Sequence, residues 1–134
     1  PTNGDAIRDV AYVKVANTQR ALRDLAASHT AADLDTLRAL QRQAEEAPDT
    51  AALAQALFRY HRGVTFLSGN TITPLLFNAF MQVNLEFWSG YIRSVGREES
   101  LRTLARFTDL IAAGQGDRAA QLLDDGLRRF VTTL

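Results

Sequence analysis

The chain has 134 residues, 15 basic and 15 acidic side chains, and no cysteine. That length fits one domain. The even charge balance argues against a domain that grips nucleic acid or an anionic membrane by charge, and the missing thiol excludes a disulfide scaffold, a thiolate metal site and a cysteine nucleophile. Hydrophobic residues make up 46% of the chain, enough for a packed core. No apolar run approaches the ~20 residues of a membrane span. The opening PTNGDAIRD lacks a signal-peptide core, so the expected location is the cytoplasm. Lys14 is the one lysine among the 15 basic residues. This arginine bias is read as genomic base composition and given no functional weight.

Six helices are predicted. The first spans about Asp5 to Ser28, with Ile7, Ala11, Val15, Thr18, Leu22 and Leu25 on one side. A second apolar strip on it, Ala6, Val10, Val13 and Ala21, suggests a dimer contact. Thr30 to Asp33 reads as a variant capping box. It opens a second helix reaching about Glu46, with Leu34, Leu37, Ala44 and partly Leu40 inward. Pro48, Asp49 and Thr50 stop the chain and restart it. The third helix runs from about Ala51 to Leu67 and ends at Gly69, suited to a left-handed cap. The fourth is one continuous helix from about Ile72 to Val95, apolar around most of its circumference and therefore expected to be central. Gly96 closes it. The fifth spans about Glu98 to Ala113 and the sixth about Arg118 to Thr133. No alternating pattern of useful length indicates a strand. The expected fold is all-α, an antiparallel bundle of about six helices over residues 1–134.

Three polar residues fall on inward faces. His61 shares its face with Leu53, Leu57, Val64 and Ser68. On its own it reads as a core histidine satisfied by one hydrogen bond. Asn84 lies in an apolar arc with Phe77, Met81 and Trp88, and a buried amide needs partners. Thr18 reads as a hydroxyl bonded back to its own helix. Together they suggest a small internal cavity. Asn78, Gln82, Glu86, Ser89 and Arg93 form a polar stripe, read as solvent-facing for Glu86 and Arg93. No metal constellation, Glu-x-x-His pair or nucleophile–base pair emerges, so no enzyme is expected.

LRDLAASHTAADLDTLRALQRQAEEAPDTAALAQALFRYHRGVTFLSGN, residues 22–70, resembles the FCD (FadR-type) effector-binding domain of GntR-family transcription regulators. Its most specific stretch runs from His61 to Asn70; Leu110 to Gly114, then Ala119 and Ala120, resemble the family's end. Most such domains hold a divalent metal through one Asp and three His. Here the Asp position is Leu57, and His61 keeps the first histidine. Counting back from Gly116-Asp117 puts the other two at Arg106 and near Arg128; the buried periodicity puts them at Leu104 and Gly126. The second register is preferred, because a one-residue error turns a helix by ~100° while loops absorb insertions. Neither leaves a metal site, since one imidazole is not enough.

The resemblance therefore implies the metal-free subset, which includes fatty-acid regulators that bind long-chain acyl-CoA. Leu67 to Phe80, with Asn78, resembles the matching segment of that subset. The family's helix-1 Arg and Glu fall at Val15 and Gln19, which moves the expected cavity towards apolar. The implied function is regulatory: a small, mainly apolar effector, fatty acyl or acyl-CoA among the options, bound in an internal cavity. His61, Asn84, Thr18 and Asn78 would supply its polar contacts; Leu57, Trp88, Leu104 and Gly126 would shape the wall. No cofactor, metal or membrane is expected. The implied assembly is a homodimer that meets DNA through a winged-helix domain N-terminal to this stretch and absent from it. The other reading is a structural or protein-interaction bundle with no small-molecule ligand.

Overall fold

The computed structural model describes the backbone of residues 3–131; of these, the side chains at 3, 4, 6, 7, 10, 11 and 131 lie outside the description. The described residues form helices and short connections, with no strand. In order they are α1 (Asn3–Ser28), α2 (Ala31–Glu45), α3 (Thr50–Leu67), α4 (Thr73–Ala79), α5 (Met81–Val95), α6 (Arg97–Ala112) and α7 (Gly116–Val131). The all-α bundle expected from the sequence is the fold found, with seven helices among the described residues rather than six.

Local chemistry sets most boundaries. Thr30 Oγ1 accepts from the Asp33 N–H at 3.1 Å, and the Asp33 carboxylate accepts from the Thr30 N–H at 3.0 Å. This reciprocal box satisfies two donors that α2 would otherwise leave open. Asp49 caps α3 by accepting from the Ala52 N–H at 2.8 Å. Gly69 and Gly96 take φ of 89° and 90°, a conformation closed to most side chains.

α1 packs against α3, α5, α6 and α7, and α3 against α2, α4 and α5. The first and last helices approach closely at Gly116, where a Cβ would stand 2.7 Å from the Arg23 Cα. Arg23 Nε donates to Asp117 Oδ1 at 2.9 Å, and Gln19 Nε2 to the Ala120 carbonyl at 3.0 Å, fixing the register of α1 on α7. The core contains Leu22, Leu25, Leu37, Leu53, Leu57, Val64, Leu104 and Ile111, all essentially buried.

The predicted single helix from Ile72 to Val95 is broken. Phe80 leaves helical geometry at φ −110° and ψ 30°, separating α4 from α5. No proline or glycine sits at the break. Asn84 crowds the turn at the break: its Nδ2 donates to the Phe80 carbonyl at 3.0 Å, beside the Asn84 N–H, and reaches the Phe77 carbonyl at 3.5 Å. A side chain that takes carbonyls from the preceding turn bends or breaks the ladder there.

α4 is not central either. It leans on α3 and α5, leaving Leu75 and Leu76 exposed, with Ile72, Phe80 and Met81 beside them also exposed. The proposed second strip on α1 also fails as drawn. Ala21 is core, Val13 is exposed, and the side chains of Ala6 and Val10 lie outside the described residues, as do those of Ile7 and Ala11 on the expected core face.

Candidate functional site

Three helices bring a group of buried polar side chains together. α1 contributes Lys14 and Thr18, α3 contributes His61, and α5 contributes Asn84 and Trp88. Lys14 Nζ, Thr18 Oγ1, His61 Nδ1, Asn84 Oδ1 and Trp88 Nε1 are all buried, and none has a hydrogen-bond partner. A buried polar atom without a partner is rare and costs about 1–3 kcal/mol. Five in one neighbourhood mark a place where the fold's own groups do not complete the chemistry.

Aromatic rings hold this neighbourhood rigid. His61 stacks on Trp88 with ring centroids 4.7 Å apart and planes 7° from parallel. Phe107 meets the imidazole edge-on at 5.3 Å, and Phe87 meets the indole edge-on at 4.9 Å. Lys14 Nζ lies 3.9 Å from the Trp88 ring centroid and 4.3 Å from that of Phe87. The rings offer the ammonium a cation–π attraction but no lone pair. Burial pushes the Lys14 amine well below its ordinary range. Burial, then the nearby Lys14 charge, pushes the His61 imidazole down as well.

The spaces around this group share lining residues. A void of about 10 Å³ is lined by Lys14, Val15, Thr18, His61, Phe87, Trp88 and Leu123. A second of about 20 Å³ lies across Val15, Phe87, Trp88 and Leu123, with Tyr91, Phe107 and Gly126 on its far wall. Each has room for about one water. A groove of about 310 Å³ opens between α1 and α4. Lys14 borders both the groove and the first void.

The structure brings His61, Thr18 and Trp88 to the first void and Gly126 to the second, while Asn84 borders the groove. Leu57 and Leu104 are fully buried but line none of these spaces. Asn78 lies apart, exposed on the outer face, where its Oδ1 accepts from Arg62 Nη1 at 2.7 Å. The expected back-bond of Thr18 is missing, and the Nδ1 of His61 has no partner.

Lys14 is the group sequence reasoning missed. The cavity does not become uniformly apolar, because α1 sends this lysine inward at 7% exposure. Its signal was its position, four residues before Thr18 and seven before the buried Ala21, on a face that otherwise avoids charge.

A family model for the FCD domain matches residues 18–129. The chain belongs to the FCD domain family. A search of curated proteins found no match. FCD domains are the regulatory, effector-binding domains of GntR-family transcription regulators, and the helical bundle agrees with that membership. Among the described residues no three His, Cys, Asp or Glu side chains converge into a set that could hold the divalent metal common in the family. No described helix is long and apolar enough to cross a membrane.

Proposed function

We propose that this FCD domain senses a compact, mainly apolar organic effector that carries a hydrogen-bond acceptor. The observation behind it is the row of unpartnered buried groups, Lys14 Nζ, Thr18 Oγ1 and His61 Nδ1, around one small void. An effector acceptor among them would remove several desolvation costs at once. Trp88 and Gly126 would shape the apolar wall, with Leu57 and Leu104 behind it. The effector would bias the bundle between two packings and so reset the spacing of DNA-binding domains in a cytoplasmic homodimer. DNA contact would belong to a winged-helix domain N-terminal to this stretch. A fatty acyl chain would enter the inner voids only if the surrounding helices moved apart, since the voids hold about 10 and 20 Å³.

That tightness favours a second reading, a ligand-free structural or interaction bundle. Native mass spectrometry of the purified domain separates the two, followed by a thermal-shift screen of acyl-CoAs, free fatty acids and small carboxylates. The effector reading expects a bound or stabilising compound whose effect is weakened in His61→Ala by more than that variant loses in stability. No compound retained and none stabilising would favour the structural bundle.

A further inference from the structure

α4 stands as a ridge between two grooves. It packs on α3 and α5, with Thr73 and Phe77 buried. Leu76 and Phe80 face the groove beside α1, of about 310 Å³. Pro74, Leu75 and Asn78 face a broader one of about 840 Å³ along α3, which Phe66 also lines. Val13, Phe66, Ile72, Leu75, Leu76 and Phe80 are between 41% and 68% exposed. Together they leave roughly 600 Å² of apolar side chain in water, the upper end for the largest patch of a monomer. It is also most of the ~800 Å² that each partner gives to a stable interface. The ridge divides the charges as well. Asp9 is exposed on the α1 groove, while Arg59 and Arg62 border the α3 groove with no acid among its lining residues. Among the described residues neither Asp9 nor Arg59 makes an ion pair, and Arg62 bonds the Asn78 amide instead.

We propose that the α4 ridge and its two grooves form the contact between two copies of this chain, with the two-fold axis along α4. This rests on the homodimer of the reading above and goes beyond it by naming the face and the symmetry. A two-fold axis along the ridge sets the Arg59 edge of each copy on the Asp9 edge of the other, so opposite charges pair twice. An axis across the ridge would lay Arg59 on Arg59 and Asp9 on Asp9. Leu75, on the outward side of α4, meets its own copy near the axis and leaves water there. The charges at the two edges fix orientation and register more than affinity. The face also reaches the inner polar group, because the Phe80 carbonyl accepts from Asn84 Nδ2 at 3.0 Å. Repacking around Asn84 would therefore shift one wall of the contact.

Sedimentation velocity of the domain across a concentration series tests this, with far-UV circular dichroism as the folding control. The variants are Leu75→Glu, Arg59→Glu, Asp9→Arg and the double variant Arg59→Glu with Asp9→Arg. All three positions are exposed, so helix content should match wild type throughout. We expect a wild-type dimer. Leu75→Glu places two unpaired carboxylates near the axis and should raise the dimer Kd about a hundredfold. Each single reversal sets like charges together at both edges and should raise Kd about tenfold. The double variant restores opposite charges and should return Kd to within about threefold of wild type. Mixed together, the two single variants should pair with each other in preference, since both edges then carry opposite charges. A charge pair within one chain would give no such rescue on mixing. A wild type that stays monomeric overturns the face and the homodimer together, and leaves the patch to a different partner. A dimer indifferent to Leu75→Glu overturns the face alone. A dimer broken by Leu75→Glu but not rescued by mixing the single variants overturns the axis along α4. The effector reading is judged separately, by the compound retained in native mass spectrometry.

Discussion

Tyr60 and His61 are neighbours on α3 and belong to two different kinds of core. Tyr60 turns towards α6, where its hydroxyl pairs with Thr108 Oγ1 at 2.7 Å in full burial. Elsewhere in the core, Ser100 Oγ donates to the Gly96 carbonyl at 2.8 Å, and Thr65 Oγ1 to the Arg62 carbonyl at 2.7 Å. These polar groups are matched within the chain. His61 turns towards α1 and α5, where Lys14, Thr18 and Trp88 each bury a polar atom with no partner. One region is built to hold the fold; the other accepts a cost that stability does not explain. Residues that spend stability without a structural return are where function is to be sought.

The sharpest test of that contrast is Lys14→Met, which keeps the length of the side chain and removes the buried amine. It should stabilise the ligand-free domain by about 1–4 kcal/mol, read from urea unfolding. Loss of stability would mean that Lys14 serves the fold. In the matched region the sign reverses. Tyr60→Phe strands Thr108 Oγ1 and should cost about 1–3 kcal/mol. Thr18→Val, of the same shape but with no bond to lose, should stay within about 1 kcal/mol of wild type or exceed it. If both hydroxyl deletions cost the same, the two regions are not different in kind.

What could be read from the sequence divides along similar lines. Thr30 with Asp33, the restart after Pro48 and Gly69 were legible because such stops and caps are decided within three or four residues. The inward places of Thr18, His61 and Asn84 were legible from helical periodicity, since each sits in phase with buried apolar neighbours. The break at Phe80 was not, because no proline or glycine marks it and the reach of the Asn84 side chain to the Phe80 and Phe77 carbonyls leaves no pattern in the sequence. Apolar residues all round a helix promise a central place only when enough neighbours cover them, and α4 has too few. Lys14 sits in no motif, and only its register, in phase with Thr18 and Ala21, points it inward. The pairing of its groove with the inner void is a tertiary fact with no local trace.

Acid should separate the two regions next. The His61 imidazole is pushed below its ordinary 6.5 by burial and then by the Lys14 charge. The unfolded chain therefore takes up this proton near 6.5 while the folded chain does not, so more protons are bound in the unfolded state. Stability then rises with pH from the lowered folded value up to about 6.5, and is lost as pH falls through that window. Urea midpoints from about pH 7 down to about pH 5 should fall more steeply for wild type than for His61→Phe, which keeps the ring against Trp88. Parallel slopes would show that His61 is not held neutral.

The smallest expected effect concerns the far void. A Cβ on Gly126 would meet Tyr91 Cε2 at 3.7 Å, ordinary contact rather than a clash. Gly126→Ala should therefore gain helix propensity, up to about 1 kcal/mol, while putting a methyl beside a void of about 20 Å³. Trp88, Phe87, Val15 and Leu123 stand between that void and the one beside Lys14 and His61. Urea unfolding should read that gain directly; a loss of stability in Gly126→Ala would mean that the wall at Tyr91 does not accept the methyl.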